Sequence, residues 1–340
     1  MRLPIKQKHI PLVATVAVCV LLYLVASLRF PGMLSMSVLL NLFYDNSFLG
    51  ICAIGMTFVI LTGGIDLSVG AVVACTSVAI AVLVRNFQMN PGEAALILMI
   101  LGTIYGTIVG CLIHFFEIPA FMVTLAGMFF ARGFCFVLSI DSIPINHPFF
   151  TTLANFSIPI LDGNLAVPGM IFLFVLFVGI FVAGRTRFGR NVYAVGGNMQ
   201  SANLMGLASG KTIIGVYAVS GLCSALAGSV YALYTFSGNG WAANGMEMDT
   251  IAAVVMGGTL LTGGVGSVFG TLFGVLIYGI IQTYISFDGT LSAWWTKIAI
   301  GILLFIFILL QRFLSQTSAL SSKGAEVSFN VAEEKSSSAV

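Results

Sequence analysis

Leu61-Thr62-Gly63-Gly64-Ile65-Asp66-Leu67-Ser68-Val69-Gly70 interrupts a long apolar region with two adjacent glycines followed closely by a carboxylate. Adjacent glycines favour non-helical backbone, and a charge at the centre of a bilayer costs about 2.5–3.5 kcal/mol on insertion scales. Irregular backbone at membrane depth survives only where protein or water covers it, so this stretch predicts a pathway lining or a tight junction between helices. A second copy, Leu261-Thr262-Gly263-Gly264-Val265-Gly266-Ser267-Val268-Phe269-Gly270, matches it at the leucine, the threonine, both glycines and the last glycine. Broken hydrophobic segments recurring within one chain are a transporter signature.

Composition sets the surroundings of both motifs. Of 340 residues 59% are hydrophobic and 8% are charged, where a soluble domain carries about 25% charge. So few charges cannot clothe a water-facing surface, and the chain is expected to be all-α and to cross the membrane many times. Apolar runs fall near 9–29, 47–62, 66–85, 93–115, 118–139, 168–184, 212–235, 248–262, 266–285 and 294–312. They predict about ten transmembrane helices. The segments flanking each Leu-Thr-Gly-Gly are short for full crossings, and an eight-span topology with half-helices stays open. Residues 1–312 form the transmembrane domain, and the Ser-rich tail 313–340 is expected to be disordered and cytoplasmic.

Charge placement tests that topology. With the basic N-terminus (Arg2, Lys6, Lys8) inside, the loop carrying Arg185, Arg187, Arg190 and Lys211 also falls inside and holds no acid. The loops near 140–167 and 236–249 fall outside and hold acids without Lys or Arg, as the positive-inside rule requires. Both termini are then cytoplasmic. The two glycine motifs sit at equivalent points in parallel orientation, so spans one to four correspond to spans seven to ten. Gly102, Gly106 and Gly110, and again Gly266, Gly270 and Gly274, recur every four residues and predict close helix packing.

Catalytic chemistry is not encoded in a recognisable form. His9, His114 and His147 are scattered, and the six cysteines lie in apolar runs without disulfide or metal-like spacing. Gly206-Leu207-Ala208-Ser209-Gly210-Lys211-Thr212 superficially resembles a phosphate-binding loop, but it has three residues between its glycines where four are needed. Any ATP hydrolysis must come from another subunit. Asp66 is the leading intramembrane charge and Arg132 the second, whereas Lys297 beside Trp294-Trp295 is expected to snorkel to the outer interface. For Asp66 three roles stay open: capping the next helix, lining a pathway, or coupling to a proton or ion. In the basic loop, Asn198 is placed to cap a short helix containing Ser201 and Ala202 and closed by Met205-Gly206. Such a helix is suited to a partner's groove.

The Leu61–Gly70 motif, the Tyr193-Ala194-Val195-Gly196-Gly197-Asn198 to Met205-Gly206 loop, and Gly257-Gly258-Thr259-Leu260 through Gly270 together resemble the permease subunits of ribose-type carbohydrate ABC importers. The resemblance covers about residues 9–312. It implies a permease dimer that takes sugar from a periplasmic binding protein in the bacterial inner membrane, driven by cytoplasmic ATP-binding subunits through a coupling helix. On that basis Gly196, Gly197, Asn198, Ser201, Ala202, Met205 and Gly206 form the ATPase-coupling loop. Gly63, Gly64, Asp66, Ser68, Gly263 and Gly264 form a pathway or structural motif. No cofactor, metal or nucleic acid is implied. Ser142 to Pro148, Ser201 to Gly206, and Asn239 through Trp295 look most like the permeases of galactofuranose importers, which implies that sugar and a heterodimer with a second permease chain. An ion-driven secondary transporter or channel is the alternative, and the scarcity of intramembrane acids weighs against it.

Overall fold

The computed structural model describes residues 10–292 and 294–309; the N-terminal basic residues and the tail 313–340 lie outside them. The chain begins with α1 (Ile10–Arg29), a 3-10 turn at Pro31–Leu34, α2 (Met36–Asp45), α3 (Ser47–Leu61) and α4 (Val69–Phe87). It continues through α5 (Pro91–Phe115), α6 (Ala120–Leu138), β1 (Ile143–Pro144), α7 (Pro148–Asn155), β2 (Ser157–Ile160) and β3 (Gly163–Ala166). The second half holds α8 (Val167–Arg185), α9 (Arg187–Gly197), α10 (Met199–Leu204), α11 (Ser209–Thr235), β4 (Ser237–Gly238), α12 (Met246–Met256) and α13 (Val268–Asp288). The last described element is α14 (Trp294–Leu309).

Helix α3 is the axis of the molecule. It is apolar all round, and every residue except Phe48 is buried, the behaviour expected of a helix with no water- or lipid-facing side. α8, α11, α12 and α13 pack around it. The outer helices turn bulky residues outward, among them Phe129 and Phe130 on α6 and Phe174 and Phe177 on α8, a surface suited to lipid.

Each of the ten apolar runs becomes helix. By length and composition seven helices are able to cross a membrane, with an eighth if α2 and α3, bent by 57°, are one broken span. α12 has 11 residues; at 1.5 Å per residue it reaches only about 16 Å, too short to cross a bilayer alone. Buried Asn46 sits at the α2–α3 bend, where its side-chain amide donates to the Leu42 carbonyl at 2.9 Å.

The glycine stripes bring backbones together. A Cβ on Gly106 would stand 2.1 Å from the Tyr217 carbonyl oxygen, so α5 and α11 approach to a distance that only glycine permits. A Cβ on Gly274 would lie 1.8 Å from the Ala253 carbonyl, which locks α13 against α12 in the same way.

The two glycine turns share one end of the bundle, called here the motif face. The opposite, far face carries two small antiparallel sheets, β1 with β4 (Ile143 opposite Gly238) and the β2–β3 hairpin (Ser157 opposite Ala166).

Candidate functional site at the motif face

The first turn forms because α3 ends at Leu61 with Thr62 as its C-cap and Gly63 adopts φ +81°, with the Gly63 amide donating to the Ile60 carbonyl and the Gly64 amide to the Val59 carbonyl. The second forms after α12, where Gly263 at φ +83° occupies the equivalent place and Gly264 at φ +76° adds a further left-handed residue. A hydrogen bond of 2.9 Å from the Gly264 amide to the Leu61 carbonyl joins the two turns directly.

A third glycine pair closes this junction. α9 is capped by Thr186, whose hydroxyl accepts from the Gly189 amide at 3.1 Å, and it ends at Gly196-Gly197. A Cβ on Gly196 would stand 1.7 Å from the Leu61 carbonyl oxygen and 2.6 Å from the Gly264 nitrogen. Tyr193, one turn earlier, donates its hydroxyl to the Gly266 carbonyl at 3.1 Å. Residues near 61, 196 and 264 thus meet at one point.

From that point α10 projects. Asn198 accepts from the Ser201 amide at 2.8 Å, Ala202 is fully buried beneath the helix, and Gly206 at φ +77° turns the chain out of it. Its exposed side carries three bulky apolar residues among polar Gln200, Ser201 and Asn203: Leu204 is 90% exposed, Met205 70% and Met199 43%. A helix that faced only water would gain nothing from these residues.

Asp66 stands behind the first turn and is only 4% exposed. One carboxylate oxygen accepts from the Ser68 amide at 2.9 Å and the Ser68 hydroxyl at 2.6 Å, and the other accepts from the Ser220 hydroxyl of α11 at 2.7 Å. The N-cap residue of α4 is Ser68, whose own side chain makes no capping bond. Asp66 therefore acts one step upstream, orienting the capping residue and tying it to α11. The neighbouring Ile65 carbonyl accepts from Thr124 of α6 at 3.3 Å and from Tyr217 of α11 at 3.5 Å.

Two other charged residues have partners that the sequence did not reveal. Arg132 donates one guanidinium nitrogen to the Gly240 and Ala242 carbonyls at 2.8 and 2.7 Å. It holds the irregular segment 239–245, which leads into α12 beside Gly70: a Cβ on Gly70 would meet the Ala243 carbonyl and the Glu247 carboxylate. Lys297 pairs its ammonium with Asp249 at 2.5 Å, and Asp249 also accepts from Tyr278 at 3.1 Å.

A family model described as a branched-chain amino acid transport system, permease component, matches residues 38–308. The chain is 54% identical over 310 residues to the inner membrane ABC transporter permease protein YjfF of Escherichia coli (strain K12), covering 91% of this chain and 94% of that protein. It is 35% identical to the fructose import permease protein FruG of Bifidobacterium longum (strain NCC 2705), over 90% of this chain and 92% of the other. The ribose import permease protein RbsC of E. coli (strain K12) is also 35% identical, over 82% and 86%. No solved structure matches the chain.

Proposed function

The chain belongs to the permease-component family of ABC transport systems, and from that premise we propose that it moves galactofuranose from a periplasmic binding protein to the cytoplasm as one half of a heterodimer with a second permease. That it is a sugar importer's membrane subunit, and not an enzyme, is supported by relatives named for fructose and ribose import. Galactofuranose and the heterodimer rest on the sequence resemblance carried by Ser142 to Pro148 and Asn239 through Trp295.

The coupling reading rests on one observation above all: α10, with Leu204 and Met205 exposed, stands directly on the junction of the two glycine turns. The ATP-binding subunit docks on this helix, and its movement reaches both turns through Gly196 and Tyr193. Leu204→Glu and Met205→Glu put a charge into that apolar contact and lie outside the bilayer core. They should lower ATP-driven sugar uptake at least about tenfold, the loss expected when an anchor is removed from a docking surface. Uptake is measured in the assembled transporter and normalised to permease in the membrane. Unchanged uptake in both variants would remove α10 from the coupling role.

The motif face is assigned to the cytoplasm because Arg185, Arg187, Arg190 and Lys211 flank it. Cysteines placed at Asn198 and Asn146 in a cysteine-free background test this with an impermeant maleimide. Asn146→Cys should label from the periplasm and Asn198→Cys should not. The reverse pattern inverts the topology.

A further inference from the structure

A cavity of about 870 Å³ opens on the far face, between the α2–α3 bend, the C-terminal ends of α11 and α13, and the segment leading into α12. Its size falls within the range of small-molecule sites, about 300–1,000 Å³. Phe48, the one residue of α3 that is not buried, turns into it. Phe48 meets Tyr231 edge-on at 5.2 Å between ring centres and Tyr234 at 5.7 Å, giving an aromatic wall. Polar groups face this wall: the Asn41, Asn239, Asn244 and Gln282 amides, and the Asp45 carboxylate.

Asp45 accepts from the Tyr234 hydroxyl at 3.2 Å. A carboxylate has about four acceptor positions, so most of its capacity remains for a ligand. Asp249, the other acid of the lining, is already engaged by Lys297 and Tyr278. No Lys or Arg lines the cavity among the described residues, which disfavours an anionic ligand. The Asn41, Asn244 and Gln282 amides, each able to donate and accept, favour a ligand with several hydroxyls over a simple cation, while the Asn239 oxygen already accepts from the Trp241 amide at 2.9 Å and leaves its NH2 to donate.

We propose that this cavity is a binding site for an uncharged monosaccharide on the membrane subunit itself. Asp45 and the facing amides take the hydroxyls, and the Phe48 and Tyr231 rings cover the apolar C–H face. The site rests on the sugar-importer reading and gives it a location: the sugar is held beside the half-helix α12 before it crosses.

The test uses the full chain assembled with its partners in membranes, in a cysteine-free background, with Ser286→Cys, a lining position outside the proposed sugar ligands, labelled by an impermeant maleimide from the far face. Millimolar D-galactose, D-ribose or D-fructose should slow labelling about tenfold for at least one sugar. Asp45→Ala should abolish that protection, and Asn41→Ala should weaken it, in variants that remain monodisperse on size exclusion. Gluconate and choline should not protect. No labelling at all, labelling that no neutral sugar slows, or protection by choline or gluconate would each overturn the proposal. Sugar uptake is read in parallel: protection without uptake supports the site while counting against the importer reading.

Discussion

Gly196→Ala is expected to abolish sugar uptake, whereas Gly197→Ala, one residue further on, should leave it intact. The two glycines are adjacent, yet their surroundings differ completely. A methyl on Gly196 would lie 1.7 Å from the Leu61 carbonyl oxygen and 2.6 Å from the Gly264 nitrogen, while a methyl on Gly197 meets nothing within 4 Å. Both obstructing atoms are backbone, so no side-chain rotation relieves the clash, and the end of α9 must lift away from the two turns. Overpacking of this kind costs about 1–3 kcal/mol and more where backbone must move. The Gly264–Leu61 hydrogen bond lies in the path of that displacement. The comparison is uptake per permease in the membrane, with ATP hydrolysis by the assembled transporter read beside it. Hydrolysis that persists without uptake marks lost coupling. Equal uptake by the two alanine variants would mean that the junction of turns does not transmit the motion of α10.

Much of this junction was legible in its parts but not in its assembly. The two Leu-Thr-Gly-Gly turns announce themselves by glycine pairs in apolar sequence, and the α10 helix by Asn198, which accepts from the Ser201 amide as a cap should. That Gly196 touches both turns is a matter of which loops meet in space, and local periodicity carries no information on it. The same limit explains Arg132, whose carbonyl partners lie 108 and 110 residues away, and Lys297, whose acid is 48 residues away. Apolar runs located the helices well. They overran at 248–262 because hydropathy continues through Gly257-Gly258, whereas helix α12 stops at Met256 and Gly258 turns to φ +89°. Nothing in the composition of the 236–249 loop shows that Arg132 satisfies its Gly240 and Ala242 carbonyls.

Asp66 separates a structural carboxylate from one whose charge is used. Its two oxygens accept from the Ser68 amide, the Ser68 hydroxyl and the Ser220 hydroxyl, and no Lys or Arg is among these partners. Asp66→Asn keeps an oxygen for Ser68, and its amide donates to Ser220, whose hydroxyl rotates to accept. An isosteric change that keeps both contacts leaves no buried polar group without a partner, so this variant should insert normally and retain most uptake. Asp66→Leu offers no acceptor. It takes the acceptor from the Ser68 amide, the Ser68 hydroxyl and the Ser220 hydroxyl, at about 1–3 kcal/mol for each that stays unpaired, and it releases the start of α4 from α11. The amount of permease in the membrane should fall steeply, with uptake falling in proportion. Ser220→Ala removes only the α11 tie and should lie between the two. Abolished uptake in a well-inserted Asp66→Asn permease would show that the negative charge itself is required, because hydrogen bonding and packing survive that change and the capacity to ionise does not.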